Sequence, residues 1–392
     1  MEVKQIFKII NLVSGEVLGK TDIVKDDLTG VVDLGNEIFN QNAVDNYVKS
    51  LVNHIGKVVF VNRPYSGKVP SVLMDAWEFG SVLEKISADV PKAEVNDTWN
   101  LTDGEEYKQD VFHKPTVSAK FFNSKVTFEV PVSITERQVK ESFSSAAQLN
   151  GFLSMIYSAV EKSITIKTDA LVMRTINNMI AETLNADKTA FVPSTQETVD
   201  YSSASTVRCV NLLKLYNDKT EAHLTAAAAI TTPDFIRFAA YIMGLYSDRL
   251  QTISTLFNVG GKERFTPKDV LHTVLLSDFA AAAKTYLYAD TFHEDNVLLP
   301  KAETVASWQA TGNDYAFEHV SKIDVKSASG ADISVSGVLG VMFDRDALGV
   351  TNLDRRVTTN YNAKAEFFNN YYKFDAGYFN DTNENFVVFF IA

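Results

Sequence analysis

The amino-acid sequence predicts an α+β fold, on three observations. Apolar residues recur at three- and four-residue spacing from Ser145 to Leu184: Leu149, Phe152, Leu153, Ile156 and Val160, then Leu171, Met179, Ile180 and Leu184. Lys125–Val132 alternates with period two, as a half-buried strand does. Three short β-branched or aromatic runs, Val58–Val61, His272–Leu276 and Phe386–Ile391, read as strands.

In chain order, the first ~55 residues alternate short apolar groups with turn signals such as Ser14-Gly15. A helix is predicted over Asn42–His54, with Val44, Tyr47, Val48 and Leu51 on one face and Gly56 as its stop. Residues 62–142 form a long excursion holding five of the nine prolines. Asp75–Asp110 carries a net charge of −7, and residues 112–140 carry +3. An acidic tip with a basic return and a solvated loop are both open readings. Unbroken, the helix over Ser145–Leu184 would be about 60 Å long, so a break near Thr165 or a long strut is expected. Residues 185–206 read as a connection. Thr232-Pro233-Asp234 and Thr266-Pro267-Lys268-Asp269 both carry a helix-start signature: a capping Thr, a first-turn Pro and an acid at the positive helix end. The Ala runs at 226–229 and 280–283 fit closely approaching helices or plain helix propensity. Eleven aromatic residues crowd the last 32 positions, giving a core, an interface or a stacking surface to choose among.

Composition narrows the function. With 392 residues, 46% hydrophobic and 22% charged, the chain is long enough for two or three domains with a sizeable core. The net charge of −12 disfavours a dedicated nucleic-acid reader, whose affinity rests on neutralising phosphates. The single cysteine, Cys209, excludes an intrachain disulfide and a cysteine zinc cage. Glu2, Lys4 and Lys8 interrupt any signal-peptide core. The longest uncharged window, Ser142–Val160, is too rich in Ser to span a membrane.

Chemistry-bearing motifs are missing. Gly67-Lys68 and Gly261-Lys262 lack the preceding Gly and following hydroxyl of a phosphate loop. The six histidines are too far apart for a helical two-His metal face. His293-Glu294-Asp295 reads as a solvated turn ahead of a metal or acid–base cluster. No nucleophile elbow occurs. Cys209, placed on an amphipathic helix, reads as a small buried hydrophobe ahead of a reactive thiol beside Arg208. Carboxylate pairs such as Glu105-Glu106 and Asp344 with Asp346 say little in a chain of 49 acids. No catalytic residue, metal ligand or cofactor site is assigned, and a chain this long without one points to a protein that packs against others.

The order of elements resembles that of the major capsid proteins of tailed double-stranded DNA phages with the Hong Kong 97-type fold, nearest the small, short-tailed phi-29-type group. Asn42–Val59, Phe143–Tyr157 with its Phe-Leu-x-x-Ile-Tyr core, and the Tyr/Phe-rich stretch Asn369–Phe390 carry the likeness. It implies an N-terminal arm with a first peripheral strand (1–61), an extended loop (62–142), a peripheral domain with a spine helix (143–200), an axial domain (201–340) and a return to the peripheral domain (341–392).

The resemblance further implies a structural protein rather than an enzyme. It would self-assemble into pentamers and hexamers of an icosahedral or prolate shell enclosing the phage DNA, without cofactor or membrane contact. Assembly would take place in the bacterial cytoplasm, with scaffolding, portal and head-decoration or fibre proteins as possible partners. Trp77, Phe79 and Leu83 of the extended loop are then expected to meet a neighbouring subunit. Glu105 and Glu106 at the acidic tip, with Lys120 and Lys125 on the basic return, would complement adjacent copies. Arg355 and Arg356 are candidates for an interface ion-pair cluster, a surface pair within the chain being the alternative. An encapsulin-like compartment shell, another virion structural protein and a carbohydrate-active enzyme are the competing functions.

Overall fold

A computed structural model describes residues 3–20, 24, 34, 37, 46–47, 50, 69–74, 82–107, 110, 112–135, 146–192, 198–288, 302–309, 315–328 and 330–392. The chain opens on helix α1 (Val3–Leu18), where short apolar groups between turns were expected. Ile10 and Val13 are buried on it, and the buried Ser14 hydroxyl bonds back to the Ile10 carbonyl at 2.7 Å. Asn46, Tyr47 and Ser50 are helical, while the rest of the Asn42–His54 prediction and the Val58–Val61 strand lie outside the described residues.

Two sheets organise the rest. The first has the order β1 (Leu73–Met74), β11 (Leu348–Asn362), β12 (Phe367–Asn380), β4 (Lys125–Thr135). β11 and β12 form a long antiparallel hairpin whose register slips between Asn352 and Asp354. β4 flanks β12 from Phe367↔Thr135 to Gly377↔Lys125, so the predicted period-two strand is present and three residues longer. Phe368, Tyr372, Phe374 and Ala376 recur at every second or fourth residue of β12 and are buried. Helix α2 (Ala146–Ala186) packs against β4, β11 and β12.

α2 is one unbroken helix of 41 residues with no break at Thr165. Its threonines are tolerated because the buried hydroxyls of Thr168, Thr175 and Thr183 donate to the carbonyls four residues earlier, at 3.0, 2.8 and 2.8 Å. The irregular patch has a packing cause. Around Val160, Ile164 and Thr168 only one narrow stripe is buried, whereas from Leu171 most of the helix is covered.

The second sheet runs β5 (Cys209–Asn211), β13 (Phe386–Phe390), β10 (Val338–Asp344), β6 (Leu271–Leu276), β7 (Glu303–Val305). Helices cover both of its faces. Val274, Leu276, Val341, Phe343, Phe386, Val388 and Phe390 join one core with Val172, Ile176 and Ile180 of α2. Leu275, Leu339, Met342, Val387 and Phe389 join another with helices α3 (Leu212–Thr220), α5 (Pro233–Arg249) and α6 (Ser277–Tyr288). Burial on both faces is why β13 reads as an unbroken apolar run. Most of the aromatic tail is therefore core. The strands of 341–392 divide between the sheets: β11 and β12 lie in the first, the rest of β10 and β13 in the second.

Three local predictions are corrected. Cys209 lies on strand β5, not a helix, because Val388, Phe389 and Phe390 offer a parallel partner. Thr266-Pro267 leads into a turn and then β6, not a helix. Thr232 precedes α5, but its hydroxyl donates to the Ala228 carbonyl at 2.9 Å instead of capping the helix. Of the Ala runs, 226–229 forms the single turn α4 (Ala226–Ala229), and 280–283 lies in α6, with Ala280 and Ala283 packed in the core shared with Ala239 of α5.

Cys209 is fully buried, its thiol directed at the Thr183 carbonyl at 3.5 Å. Burial, then the nearby Asp187 carboxylate, pushes its pKa well up. A thiol reagent at pH 8 is expected to leave the native chain unlabelled and to modify one thiol per chain in guanidinium, which absorbance titration would show.

Candidate assembly site

Strands β2 (Leu83–Ala88) and β3 (Val117–Phe122) form a separate antiparallel hairpin within the predicted excursion. Its two faces differ sharply. Leu83/Phe122, Lys85/Lys120 and Ser87/Ser118 point inward, and Glu84/Phe121, Ile86/Ala119 and Ala88/Val117 point to solvent.

The inward face carries two lysines directly opposite each other, an arrangement that like-charge repulsion disfavours. One carboxylate reconciles them. Lys85 donates to Asp381 Oδ2 at 2.9 Å and Lys120 to Asp381 Oδ1 at 3.0 Å, while the Asn383 amide donates to Oδ1 at 3.1 Å. The Asp381 side chain is only 4% exposed. Burial by itself would raise its pKa, but the bonds from Lys85, Lys120 and the Asn383 amide outweigh it and hold the group below the ordinary range. Neighbouring Glu384, 3.7 Å from Lys85 and 3.3 Å from Arg264, moves the other way because burial dominates there. Phe122 packs on Phe379 with ring centroids 5.1 Å apart, and Lys262 binds Asp89 at 2.9 Å where the hairpin opens into its tip.

The tip leaves large apolar side chains in water. Val95, Trp99 and Phe112 are 94%, 95% and 86% exposed, and Leu101 accompanies them. Local bonds shape it: Asn96 Oδ1 accepts from the Thr98 amide, and the Tyr107 hydroxyl from the Thr102 amide, both at 3.0 Å.

The sequence-predicted candidates fall as follows. Trp77 and Phe79 lie outside the described residues. Leu83 is half-buried on the inward face, and Glu105 and Glu106 are exposed on the tip. Lys120 is bound to Asp381 of its own chain. Lys125 is exposed at the start of β4. Arg355 lies half-buried and feels Glu161 of α2, with burial lowering its pKa. Arg356 is exposed on the opposite face and bonds Asp354 at 3.0 Å and Asp375 at 2.6 Å. Trp99 and Phe112 are not among the sequence-predicted residues, although an aromatic inside an acidic, proline-bounded segment is a signal for them. Nothing near Asp381 in the sequence announces its lysines. Among the described residues no His/Cys/Asp/Glu group is arranged to hold a metal, and no helix is long and apolar enough to cross a membrane.

Residues 10–390 match the family model of the Phi29-like phage major capsid protein. The chain belongs to that family. This capsid protein is thus a virion structural protein whose copies assemble into a phage shell. It is similar to a chain of the capsid structure of Staphylococcus phage Andhra, at 8% identity over 85% of this chain and 87% of that one, with a TM-score of 0.51. A chain from the capsid structure of cyanophage P-SCSP1u is 11% identical over 85% and 92%, with a TM-score of 0.44. The α+β capsid fold rests on the first of these. No curated protein matches this capsid protein.

Proposed function

We propose that the capsid protein is the repeating unit of an icosahedral or prolate shell of pentamers and hexamers around packaged double-stranded DNA. Its role is structural rather than catalytic, and the β2–β3 hairpin is the arm by which one copy engages the next. The single observation that carries the arm is its outward face. Ile86, Phe121 and Val117 are 67%, 63% and 59% exposed, and the tip beyond them presents Trp99 and Phe112. Large apolar side chains left in water along one face of a hairpin and at its tip mark an interaction site. A second copy is the occupant that the family supplies, and a head-to-tail contact of this kind closes into rings.

The Hong Kong 97-type layout of arm, extended loop, peripheral and axial domains fits this reading, with 82–122 in the extended loop. Glu105 and Glu106 give the tip a negative charge that favours correct register over net affinity. Assembly in the host cytoplasm, with scaffolding, portal and head-decoration or fibre proteins, completes the proposal. The chain's net charge of −12 suits a container that surrounds DNA without reading it.

The double variant Trp99→Ser/Phe112→Ser tests the arm. Both side chains are in water, so unfolding stability is expected to stay within about 0.5 kcal/mol of the parent. Closed shells or ring capsomers in electron micrographs are expected to fall at least tenfold under conditions where the parent assembles. Shells at parental yield would overturn the role of the arm.

A further inference from the structure

The hairpin is stapled at a particular place, the junction between the two sheets. The chain crosses from β10 to β11 through 345–347 and returns from β12 to β13 through 381–385. These two crossings are tied together. The Asp381 amide donates to the Ala347 carbonyl at 2.7 Å and the Asp344 amide to the Asn385 carbonyl at 3.0 Å. Lys85 reaches both crossings at once, donating to the Asp346 carbonyl at 2.7 Å and to Asp381 at 2.9 Å. Lys120 adds a contact to the Thr382 hydroxyl at 3.3 Å. The loop 258–264 closes the remaining side. The Gly260 amide donates to the Thr382 carbonyl at 2.8 Å, Arg264 pairs with Glu384, and any side chain at Gly260 would overlap Asn383.

We propose that Asp381 is a positioning residue that couples the set of the β2–β3 hairpin to the junction of the two sheets. A neighbouring copy that loads the hairpin then acts on how the sheets meet within the same chain. The inference rests on the hairpin's role as the intersubunit arm. Its physical basis is the opposed lysine pair, which holds its register only while a buried carboxylate accepts one lysine on each oxygen. The charges facing this point are Lys85 and Lys120 from the hairpin, Glu384 from the second crossing and Arg264 from the loop. Asp344, at the first crossing, is engaged with the Thr266 hydroxyl at 2.9 Å.

Amide hydrogen exchange on the unassembled full-length chain tests the coupling without requiring shells. Asp381→Asn is expected to raise exchange at least tenfold in 83–88 and 117–122, and also in 344–348 and 380–386. The hairpin β8–β9 (Ile323–Lys326 with Asp332–Val335), a separate two-stranded sheet, should keep its parental rates. Adding Lys120→Met to Asp381→Asn is expected to restore part of the protection, because it removes one of two opposed cations. Faster exchange in the hairpin alone, a uniform rise that includes β8–β9, additive effects of the two substitutions, or no change would each overturn the proposal. If Asp381→Asn yields no folded protein, Lys85→Met and Lys120→Met take its place. Lys85→Met is then expected to disturb the junction more, since it alone contacts both crossings, and equal effects would overturn the coupling. Failure of the Trp99→Ser/Phe112→Ser test with this coupling intact would remove only the intersubunit role.

Discussion

Proline at position 176 is expected to destroy the native state. Ile176 sits inside α2, is fully buried, and belongs to the core that α2 shares with the five-stranded sheet. Proline removes the amide that bonds to the carbonyl four residues earlier and drives its ring into that turn, a cost of about 3 kcal/mol or more. Loss of the isoleucine side chain adds a further share of the roughly 2–5 kcal/mol seen for large-to-small core changes. Together these approach the roughly 5–15 kcal/mol that holds a typical domain folded. Circular dichroism and solubility would register it as loss of cooperative unfolding and accumulation in the insoluble fraction. Ile176→Val keeps the backbone and most of the volume, and its expected cost is about 0.5–1.5 kcal/mol. A soluble, cooperatively folding Ile176→Pro chain would show that α2 tolerates a kink and is no continuous strut.

Gly340→Val has a comparable expected effect by a different route. A Cβ at this position would lie 2.6 Å from Leu275 Cδ2 and 2.8 Å from the Val274 carbonyl oxygen. The side chain could turn away, but the carbonyl belongs to β6, which pairs with β10 on one side and β7 on the other. The clash can be relieved only by separating central strands or shifting their register, and a register shift would turn core side chains to the wrong face. The expected loss is about 3 kcal/mol or more, read from the midpoint of guanidinium unfolding, with Gly340→Ala intermediate. An unchanged midpoint for Gly340→Val would mean that the sheet core is looser than its packing indicates.

The parts of the fold legible in the sequence are those in which one local period dictates burial. β4 shows its alternation from Lys125 onward, and β6 and β13 show the continuous apolar runs of strands covered on both faces. The length of α2 was legible, but its continuity was not, because the patch around Thr165 reflects a change in what covers the helix. The strand at Cys209 is hidden in the sequence for a related reason. A strand of three residues leaves too short a pattern to separate from a helix, and its assignment comes from parallel pairing with β13. Thr266-Pro267 has the chemistry of a helix start, yet β10 offers the following residues a pairing edge, and tertiary pairing overrode the local signal.

The candidate site divides along the same line. The prolines of 62–142 and the opposite charges of its two halves marked an excursion, because an acidic, proline-punctuated segment cannot bury itself. What the excursion is fastened to was invisible: Lys85 and Lys120 meet Asp381 across 296 and 261 positions. Arg355 and Arg356 read as one cluster in the sequence; strand β11 sets them on opposite faces, one half-buried near α2 and the other paired with Asp375. The sequence by itself determined the α+β class, the long helix, the absence of recognisable catalytic motifs and the acidic balance, since backbone geometry translates local spacing directly into which side is buried. The tertiary structure alone decided which distant charges share a carboxylate and where the hairpin is stapled, because such contacts are set by the joint packing of elements hundreds of residues apart.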